Sequence, residues 1–324
     1  MYKESQIIPS PTAATRVSSM EDQPMIIDPS KHQVPRVEPK IAVDFVSEID
    51  VEKSSDTEYR GKLPLRKPIA TRHGAYGGAL CSQAILVAMR SVPSGFRPHS
   101  IHSYFTKGVH EESVIEWKVQ KISDGKTYAN RIVLGCQENE VVYTASISLT
   151  TRNVTKPRDD GLVPFSYQND APRELLHYDI SKLKGIANPN LHITLRETPK
   201  SKVDDVYPYL IKFGIPECET VLPVPEEYKY SLFTWITDWM FLSRAFASGI
   251  GKRVKAQFDV SLDHTIYFHD DDLDATKWVG VSMRPGRSEH GRTLMTCDLY
   301  NEKGKHVATV VQERLFIVKP TAHL

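Results

Sequence analysis

The stretch SLDHTIYFHDDDLD, Ser261 to Asp274, packs two histidines and five aspartates into fourteen residues. Imidazoles and carboxylates at such density suggest a divalent-metal site. The interval from His269 to Asp274 also matches the His-x4-Asp box of some acyltransferases. Strand geometry argues against the first. Side chains alternate faces along a strand, so His264 and His269, five apart, point to opposite sides and cannot grip one ion. Asp263 and His269 share a face but stand about 20 Å apart at ~3.3 Å per residue. Asp270-Asp271-Asp272 reads as a solvated turn before the strand that Trp278 begins. The His-x4-Asp match is a short pattern without supporting context. No metal is expected.

A single acid elsewhere says more. Asp238 lies in SLFTWITDWMFLSRAF (231–246), a largely apolar helical run, and Thr234, Trp235, Phe241 and Leu242 are its neighbours three and four positions away. None is basic, and Arg244 sits about 120° round the helix. A carboxylate there is costly unless a distant group satisfies it, and one so placed suits a general base; the plainer alternative is an acid on an exposed helix edge. The corresponding helix in the first half, GGALCSQAILVAMRSV (77–92), carries no acid, so any chemistry is expected to be asymmetric. Gly77 and Gly78 open that helix. Their amides could bind a developing oxyanion, or the pair could serve a tight turn that needs glycine conformations. Ser261, on the face opposite Val260 and Leu262, and Gln312, which interrupts ATVVQERLF, read locally as an outward polar residue and an edge-strand glutamine.

The bulk properties narrow the setting. The chain has 324 residues, enough for about two ordinary units. Its 41 basic and 40 acidic residues leave a net charge of +1, which speaks against a general nucleic-acid or membrane-surface protein but leaves room for a local basic pocket. No run reaches the roughly 18 apolar residues of a membrane span, and MYKESQIIPSPTAATR has no apolar core of a secretory signal. Cys81, Cys136, Cys218 and Cys297 form no CxxC pair, so reduced thiols in an intracellular compartment are expected. The final Ala322-His323-Leu324 is similar to the Ser-Lys-Leu tripeptide read by the peroxisomal import receptor.

Elements to position these residues follow from periodicity. Residues 1–40, rich in Pro, Ser and Thr, are expected to be a disordered arm. The helix at 77–92 is apolar all round and should be buried. Strand-like runs follow at 100–105, 113–122, 128–136 and 140–151, joined by short turns. The N-terminal unit is placed at 41–154, a Pro-rich linker at 155–187, a second unit at 188–319 and a tail at 320–324. Trp117, Gly125, Arg131 and Cys136 match Trp278, Gly286, Arg292 and Cys297 at one offset of 161. A helix-plus-meander unit is therefore expected twice, with equivalent residues 161 apart.

AYGGALCSQAI, HSYFTKG, DGKTYANRIV, WITDWMFL, VSLDHTIYFH and ATVVQE, in this order, resemble the type II acyl-CoA thioesterases of bacteria and peroxisomes. The resemblance spans about 42–318 and implies an α+β double hotdog, two long helices each wrapped by an antiparallel sheet. It implies hydrolysis of acyl-CoA to a free acid and CoA, with no metal or redox cofactor. It groups Ser261 and Gln312 with Asp238 as the catalytic set. Lys126, Arg131 and Arg287, together with Arg292, flank the repeated turns and are candidates for the CoA phosphates. The family often has glutamine after the glycine pair; Ala79 stands there in this chain. A non-catalytic acyl-CoA-binding scaffold and a hotdog dehydratase or acyl transferase stay open as alternatives. Uncovered sheet edges would let copies of the chain associate.

Overall fold

The computed structural model describes residues 25–27, 40–68, 74–152, 160–161, 165–172, 175, 179–199, 206–239 and 254–320. Its core is one strand–helix–meander unit used twice, with four strands after the helix in the first copy and five in the second, where one strand is broken in two. In the first unit β1 (Glu58–Gly61) precedes helix α1 (Gly77–Arg90), followed by β2 (Arg97–Phe105), β3 (Glu116–Asp124), β4 (Tyr128–Gln137) and β5 (Glu140–Thr150). In the second, β6 (Tyr207–Phe213) precedes α2 (Lys229–Thr237), followed by β7 (Val254–Ser261), β8 (Asp263–Phe268), β9 (Val279–Glu289), β10 (Arg292–Tyr300) and β11 (His306–Pro320). The strands form one sheet in the order β6-β9-β10-β11-β8-β2-β5-β4-β3-β1, with β7 pairing with β11 off this path. The two units mirror each other about the antiparallel pair β8–β2, where His264 faces Ser103. This is the double hotdog that the sequence led us to expect.

The helices behave as their composition requires. Every residue from Gly78 to Ala88 in α1 and from Tyr230 to Thr237 in α2 is buried. The helices pass each other in opposite directions, so that the Ser82 hydroxyl bonds the carbonyl of Ser231 at 2.7 Å and Tyr76 Oη donates to the carbonyl of Trp235 at 2.6 Å. The two fully buried tryptophans satisfy their indole N–H groups, Trp117 on Gln83 Oε1 and Trp235 on the Leu191 carbonyl. No helix among the described residues is long and apolar enough to cross a membrane.

Several expectations need correction. Met25–Ile27, placed in the disordered arm, is a strand paired with Gly185–Asn188, and that partner strand begins inside the segment assigned to the linker. The described part of α2 ends at Thr237, so Asp238 caps the helix rather than lying within it; 240–250 lie outside the described residues. The segment 254–269 is two strands that break at Leu262. The repeat holds for the units but not for a residue-by-residue offset of 161. Gly286-Arg287-Ser288 lies inside β9, and the turn falls at His290-Gly291, both at positive φ as a two-residue hairpin demands. Trp117 is within β3, whereas Trp278 precedes β9 and packs in a separate cluster. Burial disagrees with that offset too. The offset would carry buried Arg131, 1% exposed, onto Arg292, whose side chain is 53% exposed.

Candidate active site

Asp238 is 6% exposed at the C-terminal end of α2. The carbonyls of a helix C-terminus repel a carboxylate, so other elements must hold it. The antiparallel crossing brings the N-terminus of α1 alongside, and the Gly78 N–H donates to Asp238 Oδ2 at 3.0 Å. That end of α1 has free amides, a favourable dipole and no acid in its first turn. The approach leaves no room for a side chain. A Cβ at Gly78 would lie 2.6 Å from the Trp235 carbonyl and 2.5 Å from the Tyr76 ring, and one at Gly77 would lie 2.8 Å from Asp238 Oδ2. Neither glycine has positive φ; closeness, not a turn conformation, requires them. The Gly78 amide assigned to a substrate oxyanion is therefore already bonded to Asp238.

The other carboxylate oxygen gathers the strands. Ser261 Oγ donates to Asp238 Oδ1 at 2.9 Å and Gln312 Nε2 donates to it at 2.5 Å, with Gln312 Nε2 also 3.0 Å from Ser261 Oγ. Gln312 is fully buried, in the middle of β11 opposite Met295 of β10. Asp238, Ser261 and Gln312, remote in sequence, thus form one hydrogen-bonded group beside Gly78. The group pairs an anionic acceptor with two neutral donors. Among the described residues Asp238 Oδ2 accepts one bond, which leaves it capacity to take a proton.

Two further residues complete the group, and both escaped the sequence reading. His264 is fully buried. Its Nε2 lies 2.9 Å from Thr237 Oγ1, whose own proton goes to the Thr234 carbonyl at 2.7 Å. Thr237 must then accept from His264, so the proton sits on Nε2 and Nδ1 accepts from Gln312 Nε2 at 3.1 Å. Burial, partly opposed by Asp238, lowers the imidazole pKa to about 4, so it is neutral at ordinary pH. Arg314, 9% exposed, pairs with Asp259 at 2.7 Å and directs Nη1 at Ser261 Oγ and at Gln312 Oε1, 3.2 and 3.3 Å away. Gln312 and Arg314 share a strand face two residues apart; that spacing was the available signal. No such signal existed for His264. On a regular strand Ser261 and His264, three apart, would point to opposite faces. The break at Leu262 turns both toward Gln312.

The remaining candidates are elsewhere. Arg131 is part of the first unit's frame: it donates to the Ser91, Ser123 and Asn130 carbonyls, to Ser91 Oγ and to Asp124. Arg287, 80% exposed, pairs with Glu289 on its own strand, Arg292 stands 3.8 Å from Glu313, and Lys126 is exposed in the first hairpin turn. None of these side chains contacts the Asp238 group. The acidic run is bound up in surface pairs: Asp270 with Lys305, Asp272 with Lys303, and Asp271 with Arg152 and Tyr230. His264 is buried and His269 exposed, the ring of His269 packing edge-on against His306. Among the described residues no three His, Cys, Asp or Glu side chains cluster as a metal site would need. Cys81, close to this region, has its thiol pKa pushed up by burial and is no thiolate nucleophile.

The chain matches two family models in order, the acyl-CoA thioesterase N-terminal domain over residues 65–150 and the acyl-CoA thioesterase C-terminal domain over residues 220–316. It is 23% identical over 297 residues to acyl-coenzyme A thioesterase 8 of Mus musculus, covering 86% of this chain and 90% of that one. It is 22% identical over 323 residues to the peroxisomal acyl-coenzyme A thioester hydrolase 1 of Saccharomyces cerevisiae, covering 80% and 90%. Among solved structures, the acyl-CoA thioesterase II TesB2 of Mycobacterium marinum superposes with a TM-score of 0.67 at 20% identity, over 86% of this chain and 99% of that one.

Proposed function

Because the chain belongs to the type II acyl-CoA thioesterase family, we propose that the group around Asp238 is the catalytic site of an acyl-CoA hydrolase. The protein hydrolyses the thioester of acyl-CoA to a carboxylic acid and free CoA. The roles follow from the geometry. Asp238 is the general base: it takes a proton from a water as the water's oxygen attacks the thioester carbonyl. Ser261 and Gln312 orient that water and the carboxylate. Collapse of the tetrahedral adduct breaks the carbon–sulfur bond, and the proton held by Asp238 goes to the departing thiolate. No covalent acyl-enzyme is needed, in keeping with the lack of a Gly-x-Ser-x-Gly elbow in the sequence. The Gly78 amide acts on the base, holding its carboxylate toward the reaction centre.

The observation that carries this reading is the convergence of Asp238, Ser261 and Gln312 from one helix end and two strands. It is tested by thiol release from a panel of acyl-CoAs. Asp238→Asn keeps the shape and removes the base, so kcat should fall roughly 10²–10⁴-fold. Ser261→Ala and Gln312→Ala should also lower it. The triple variant should be little worse than the worst single one, because the residues act as a unit. Near-normal turnover of Asp238→Asn would sink the mechanism.

A peroxisomal location is the second part of the proposal. It rests on Ala322-His323-Leu324, outside the described residues, and is supported by the compartment in the yeast relative's name. Deleting His323 and Leu324 should move the protein to the cytosol with activity intact; unchanged targeting would count against the address.

A further inference from the structure

Gln312 is the member of the group whose orientation is least secure on its own. The two ends of a carboxamide have nearly the same shape, and only hydrogen bonds decide which way it points. Here the nitrogen faces Asp238 Oδ1 and the oxygen faces Arg314. While Asp238 is an anion it enforces this choice itself. Once it has taken the proton of the attacking water that charge is gone, and the amide could turn over in mid-reaction.

We propose that His264 and Arg314 are positioning residues that clamp the Gln312 carboxamide with its nitrogen toward Asp238 throughout the cycle. His264 offers Nδ1 as an acceptor, and the Thr237 and Thr234 bonds keep its proton on the far nitrogen. Arg314 offers a donor to Oε1 and is itself anchored on Asp259. A turned amide would set its oxygen against the lone pair of His264 and its N–H groups against the guanidinium. Both jaws are buried, so no water replaces a lost contact. The break at Leu262 serves this clamp, because it turns His264 to the same side as Ser261.

This inference rests on the catalytic role given to Gln312, and a double-mutant cycle separates the two. Gln312→Met measures that role alone. His264→Leu removes one acceptor and should lower kcat roughly tenfold, the size of one buried hydrogen bond, with KM little changed. Arg314→Met should do the same or more. In the Gln312→Met background His264→Leu should not lower kcat further, because the clamp then has nothing to hold, and Arg314→Met should keep only the smaller loss due to its own bond to Ser261 Oγ. His264→Asn, which can present an oxygen close to the place of Nδ1, should recover part of the loss; it also serves if His264→Leu fails to fold. Full activity of Gln312→Met would overturn the reading of the site. A His264→Leu loss that multiplies in the Gln312→Met background, or a fully active His264→Leu, would overturn the clamp and leave that reading standing.

Discussion

Acid should destabilise this protein through one residue at its proposed catalytic centre. His264 is fully buried, and burial lowers its pKa from the ordinary 6.5 to about 4. The charged groups that face it are Asp238, which favours its protonation, and Arg314, which opposes it. The unfolded chain therefore binds a proton at higher pH than the folded one. The stabilisation is complete above about pH 6.5 and drains away as the pH falls toward 4. Each pH unit is worth about 1.4 kcal/mol, so the drop from 6.5 to about 4 removes ~3 kcal/mol of stability. That is a large part of the 5–15 kcal/mol or so that holds a typical domain. Urea unfolding at pH 7, 5.5 and 4.5, run side by side on the wild type and His264→Asn, isolates the effect. Asp263, His99 and His269 also have shifted pKa values but are common to both proteins. The stability advantage of the wild type should shrink by ~2 kcal/mol between pH 7 and 4.5. An advantage that stays constant would show that His264 does not titrate as a buried neutral imidazole. It would also remove the tautomer on which its bond to Gln312 depends.

Gly78→Ala should be costly despite its small size. Its Cβ would meet the Trp235 carbonyl at 2.6 Å, so a loss of about 1–3 kcal/mol in urea unfolding is expected, with lower kcat as the Asp238 partner is pushed away; wild-type values for both would refute the close approach. Arg131→Ala should lower stability by about 3 kcal/mol, because it strands buried carbonyls and breaks the pair with Asp124. Arg287→Ala, at an exposed position, should stay within about 0.5 kcal/mol; equal effects in the same unfolding assay would contradict the assignment of Arg131 to the frame.

What the sequence determined by itself is what depends on near neighbours. A helix apolar on every side had to be buried, and α1 and α2 are. The strands of the first meander, and the tight turn at Glu138-Asn139 between two of them, follow from alternation and turn chemistry. Asp238 stood out because nothing within a helical turn of it carried a positive charge. The grouping of Ser261 and Gln312 with it came from resemblance to a family, since each is locally an ordinary polar residue. Only the tertiary structure decided the rest. The crossing of the two helices places the Gly78 amide on a carboxylate 160 residues away. The break at Leu262 aims Ser261 and His264 at one amide, although strict alternation would separate them. The same alternation, read with the observed pairing, turns Arg131 inward as part of the frame and leaves Arg292 outside. Periodicity reports which face a residue occupies within its own element. Which element covers that face, and where a strand departs from regularity, is settled by pairing between distant segments, and the chemistry of this site depends on that pairing.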